Sequence, residues 1–153
     1  MMAQSFMIIV PFSIQGMMIM IDEFLFHRKR GLPKWERIGH PIDTFLQFIC
    51  LTIPLFLEFS RRNVILYMIL AVASTLLITK DEHVHAVHCG WQEHWLHAIL
   101  FIVHPIVLIA AAYLWAQPDV YGWFFPLLKI QVLLMAFFGI YQITYWNIYG
   151  ARV

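Results

Sequence analysis

Five apolar blocks, each long enough to cross a bilayer, constrain this chain more than any other feature of its sequence. A membrane-spanning helix needs roughly 20 mostly apolar residues, because each adds only about 1.5 Å of rise across about 30 Å of hydrocarbon. The blocks run from Met2 to Ile21, Pro41 to Phe59, Val64 to about His88, about Gln92 to Trp115, and Pro126 to about Tyr149. In lipid every backbone N–H and C=O must find its partner inside the segment, so such blocks fold as helices. The expected fold is all-α: a polytopic integral membrane protein with five transmembrane helices, forming a single membrane domain over residues 1–153 with the lipid bilayer as its surroundings. Composition agrees, since 12% of residues are charged, half of the roughly 25% usual in soluble domains, and 61% are hydrophobic.

The joints between blocks are short. No basic residue precedes the first block and no small-x-small cleavage pattern follows it, so it reads as a retained helix rather than a removed signal peptide. A polar stretch from His27 to His40 turns at Gly31-Leu32-Pro33, and Pro41 is expected to open the second helix, with Pro54 kinking it. Cys89 to Trp91 can join only antiparallel neighbours. Basic residues favour the cytoplasmic side; the first loop holds five (Arg28, Lys29, Arg30, Lys34, Arg37) and the tail on the same face holds Arg152, against two (Arg61, Arg62) in the second loop on the opposite face. The expected orientation therefore has the N-terminus outside and the C-terminus cytoplasmic. A net charge of +1 gives no reason to expect nucleic acid, and Cys50 with Cys89 makes no disulfide framework.

On this topology the titratable residues sort unevenly. His27, His40, His83, His85, His88, His94 and His97 fall at the cytoplasmic ends of helices one to four, as do Asp22, Glu23, Glu36, Asp43, Asp81, Glu82 and Glu93. Only His104, Glu58 and Asp119 lie elsewhere. Residues three, four or seven apart share a helix face, which pairs Glu23 with His27, His40 with Asp43, Asp81 with His85 and His88, and Glu93 with His97. Gln47 lies one turn deeper than Asp43, and His104 about 10 Å deeper than His97 on the same stripe.

Taken singly, these residues have ordinary structural roles. Asp43 and Glu93 lie in first turns and His85 and His88 in a last turn, where the helix dipole favours each sign of charge, and His104 ahead of Pro105 is expected to bond a backbone carbonyl. Taken together, they are carboxylates and imidazoles on converging helix ends, with Lys and Arg absent from Asp81 to His97, the means by which helical bundles hold paired metal ions. The expected ligands are Glu23, His27, His40, Asp43, His85, His88, Glu93 and His97, on an antiparallel bundle of helices one to four, with Asp81, Glu82, His83 and His94 as reserves or as groups that orient the ligands. Mixed imidazole and carboxylate donors suit iron, manganese or zinc.

The leading expectation is a dinuclear, iron-favoured centre in an oxidoreductase of the hydroxylase type, supplied by an electron donor and acting on a lipid-like substrate. In its chemistry alone the pattern resembles the histidine boxes of membrane desaturases and hydroxylases; it departs from them in its shorter chain, its lack of paired-His boxes and its many carboxylates. Alternatives are a zinc-dependent hydrolase with Glu82 or Glu93 as general base, a b-type haem carrier, a metal transporter or sensor, and a non-catalytic membrane subunit.

Overall fold

The computed structural model describes the backbone of residues 2–149 and the side chains of residues 8–149 other than Asp81, His83, Val84 and His88. Among the described residues there is no strand, and five helices are long and apolar enough to span a membrane. Helix α1 (Met2–Ile21) continues through a π-helical turn (Asp22–His27) into Arg28–Arg30. Helix α2 is Lys34–Phe56; α3 is Arg61–Leu77, extended by a 3-10 turn (Ile78–Asp81) and by Glu82–His88; α4 is Trp91–Trp115. A single turn (Pro118–Tyr121) leads to α5 (Phe124–Gln142), which ends in a second π-helical stretch (Ile143–Tyr149).

Two boundaries differ from the expectation. Helix α1 does not stop at Ile21 but runs into the basic stretch, and it is ended by Gly31, whose φ of 75° is a left-handed conformation that favours glycine. Helix α2 starts at Lys34, one residue after Pro33, so Pro41 lies inside it. A proline there removes the N–H that would bond the Arg37 carbonyl. The Asn147 side-chain amide donates to that carbonyl instead, at 2.9 Å, so a group on the last helix replaces the missing backbone donor.

Helix α2 packs against α5 most extensively and also against α3 and α4, while α1 lies along α4. The apolar core occupies the half of the molecule away from the histidines, where Phe12, Leu51, Val107, Leu108, Leu114 and Leu128 interlock. Outward faces remain apolar, for example Ile69, Val72 and Leu76 on α3 and Leu133, Leu134 and Phe137 on α5, as lipid contact requires. The buried Tyr67 hydroxyl donates to the Leu108 carbonyl at 2.6 Å and ties α3 to α4. Tyr67→Phe should cost about 1 kcal/mol, the typical net value of one hydrogen bond, read as an earlier unfolding midpoint in a detergent titration.

Candidate metal centre

The π-helical turn is the local feature that shapes the cluster. In a regular helix Glu23 faces His27, four residues on, and Asp22 does not; a π turn bonds residue i to i+5 and so also brings Asp22 over His27. Asp22 Oδ2 is accordingly 3.3 Å from His27 Nε2, and Glu23 Oε2 is 3.5 Å from His27 Nδ1. All three side chains are buried.

Three overlapping sets of donors meet here, and within each set the ligand atoms lie within 4.8 Å of one another. The first is Asp22, His27, Glu93 and His97, all buried; the second is His27, Glu36 and His40; the third is His85, Cys89 and His97. His27 belongs to two sets and His97 to two, so the sets form one continuous cluster. Its interior distances are short: His97 Nε2 lies 3.2 Å from each Asp22 oxygen, His27 Nε2 lies 3.7 Å from Glu93 Oε1, and the His85 and His97 rings stack at 4.0 Å.

Of the ligands expected from sequence, His27, His40, His85, Glu93 and His97 are brought together. Glu23 stands beside them and spends one oxygen elsewhere: Oε1 accepts from the Tyr141 hydroxyl and the Trp146 indole N–H, both at 2.8 Å. Asp43 belongs to none of the three sets and pairs with Lys80, which the 3-10 turn of α3 carries toward it. The side chains of His88, Asp81 and His83 lie outside the described residues. Glu82 is exposed and His94 half-buried, and neither joins a set.

Asp22, Glu36 and Cys89 are the members that spacing did not single out. Glu36 precedes His40 by four residues, a pairing hidden when the helix is started at Pro41. Cys89 follows His85 by four, and its backbone N–H continues the last turn by donating to the His85 carbonyl at 2.9 Å. Burial pushes the Cys89 thiol up, so it keeps its proton unless a cation displaces it.

The electrostatics are unbalanced. Arg30 bonds Glu36 at 2.8 Å and Glu93 at 2.9 Å, joining α1, α2 and α4 through one guanidinium. The contacts of Asp22 are imidazoles, and those of Glu23 are an imidazole and neutral donors. Buried polar atoms are almost always hydrogen-bonded. Here both ring nitrogens of His27 and of His85, Nε2 of His40, Nδ1 of His97 and Oε1 of Glu36 are buried and make no hydrogen bond. A cavity of about 100 Å³ opens onto Asp22, His27, His40, His85 and His97.

His104 departs from its expected role. It bonds two side chains, Gln15 at 3.0 Å and Ser74 at 2.9 Å, rather than a backbone carbonyl. Comparison with known proteins yields no match: no family model, no curated protein and no solved structure is significantly similar to the chain.

Proposed function

We propose that the chain is an integral membrane metalloprotein holding about two metal ions among His27, Glu36, His40, His85, Glu93, His97, Asp22 and Cys89, with α1 to α4 antiparallel around them. The observation that carries this reading is the set of buried imidazole nitrogens without a hydrogen bond, facing carboxylates that lack enough cationic partners. Metal ligands must be deprotonated, and metal ions would supply both the missing bonds and the missing positive charge. On the positive-inside rule the centre sits at the cytoplasmic ends of the helices, with the N-terminus outside.

The chemistry we favour is oxidation of a lipid-like molecule at an iron centre fed by an electron donor. Bound iron would supply oxygen activation, and a donor set of imidazole and carboxylate is the kind used for that purpose. The chain's own groups divide the remaining work. Tyr141 and Trp146 hold the Glu23 carboxylate in place beside the His27 ring, and Arg30 keeps Glu36 and Glu93 from swinging away. The apolar half of the molecule and its lipid-facing surface limit the approach of water.

A second reading has one observation in its favour. Cys89 lies with His85 and His97, and thiolate with two imidazoles suits zinc, which would make the centre hydrolytic. Elemental analysis of protein purified in detergent without a metal-affinity step decides between them. About two iron ions per chain are expected; zinc without iron would favour hydrolysis, and a metal-free protein whose stability ignores chelators would overturn both.

A further inference from the structure

Beneath the cluster lies a second polar layer. Gln15 is seven residues from Asp22 on α1, Gln47 seven from His40 on α2, and His104 seven from His97 on α4, so each lies on the ligand-bearing face about 10 Å deeper. Ser74 on α3 completes it. The bonds run one way: Gln47 Nε2 donates to Gln15 Oε1 at 2.6 Å, Gln15 Nε2 donates to His104 Nδ1 at 3.0 Å, and His104 Nε2 donates to Ser74 Oγ at 2.9 Å. Every group in this arrangement is neutral. Beside it, Thr44 donates to Gln142 Oε1 at 2.8 Å.

These bonds leave two functional groups over. The Gln47 carbonyl oxygen and the Gln142 amide nitrogen make no hydrogen bond among the described residues and belong to residues that are 4% and 5% exposed and line the cavity. Both side chains line the cavity that reaches the histidines, Asp22, Glu23 and Asp43; its walls also include the apolar Ile19, Leu100, Phe101 and Phe138. An acceptor and a donor that both lack partners, beside a layer of neutral side chains and among apolar ones, match a hydroxyl group on an alkyl chain. An anion would lose its hydration there and meet Asp22, Glu23 and Asp43, which line the same cavity, and a cation would be drawn to those carboxylates rather than to the two amides. The cavity, at about 100 Å³, is smaller than the roughly 150 Å³ that admits benzene, so only a short segment of a molecule fits.

We infer that this cavity holds the hydroxyl end of an uncharged, membrane-dissolved alcohol, with the alcohol O–H donating to Gln47 Oε1 and its oxygen accepting from Gln142 Nε2. The assignment of that alcohol as a substrate rests on the metal reading; its binding rests on the two amides alone. The test uses the full chain in zwitterionic lipid nanodiscs and fluorine saturation-transfer NMR, with 2,2,2-trifluoroethanol as probe and 1,1,1-trifluoropropane as its hydroxyl-free counterpart. Saturable binding of the alcohol and none of the alkane is expected, weakened about tenfold or more in Gln47→Leu and in Gln142→Leu, the loss that follows from stranding one buried partner. Equal behaviour of the two probes in the parent protein, or unchanged alcohol binding in both variants, would overturn the inference. Metal content measured on the same samples keeps the readings apart. Selective alcohol binding by a metal-free protein supports this site while sinking the metal centre, and a full metal complement without hydroxyl selectivity does the reverse.

Discussion

His97→Ala is expected to strip the protein of most of its metal, because His97 belongs both to the set with Asp22, His27 and Glu93 and to the set with His85 and Cys89. Loss of one ligand from an isolated site often leaves a weakened ion in place, but a ligand common to two sites weakens both. His27→Ala should behave alike, since His27 also serves two sets, whereas His40→Ala removes a member of one set only. The expected order of residual metal by elemental analysis is parent, then His40→Ala, then the two shared-ligand variants near the background of a chelated control. An equal, partial loss in all three variants would mean that the sets are not occupied together. Asp22→Asn supplies a check from the other partner of His97, because it keeps the shape of the side chain and removes its charge.

Arg30→Met is expected to give the largest loss of stability. Its guanidinium is the cationic partner of Glu36 and Glu93, both buried, and breaking such a pair by deleting one member costs about 3 to 5 kcal/mol because a charge is left uncompensated. Partial exposure of the Arg30 side chain, 19%, places the expectation toward the lower figure. The effect depends on metal. In chelated protein the two carboxylates are left without Arg30, and the unfolding midpoint should fall steeply; in metal-loaded protein Glu93 and Glu36 keep a cation, and the fall should be much smaller. Equal destabilisation with and without chelator would show that metal and arginine do not compete for the same carboxylates.

The helices are legible in the sequence because lipid imposes one solution on any long apolar run, and block length alone carries the information. The pairing of Glu93 with His97 is equally legible, since both lie within one regular helix. What escapes periodicity are the places where the winding changes. Asp22 is five residues from His27 and reaches it only through the π turn; Lys80 meets Asp43 only because α3 tightens into a 3-10 turn. Glu36 is lost for a different reason: Pro41 reads as a helix start until Asn147, more than a hundred residues away, is seen to satisfy the carbonyl that the proline frees. The part played by α5 is likewise invisible locally, because Tyr141 and Trp146 act on a carboxylate of the first helix.

The widened turn of α1 also leaves that helix with a spare residue. Deleting one of Phe24, Leu25 or Phe26 would let Asp22–His27 relax to ordinary winding, with Asp22 now four positions before His27 and everything ahead of it, Gln15 included, still in phase. The same excision between Glu36 and His40 in α2, or between Glu93 and His97 in α4, has no such slack to take up. It would swing one half of the rod by about 100° relative to the other and turn its buried face toward lipid. Shortening by one residue is therefore a change that this protein can absorb in its first helix and not in its second or fourth.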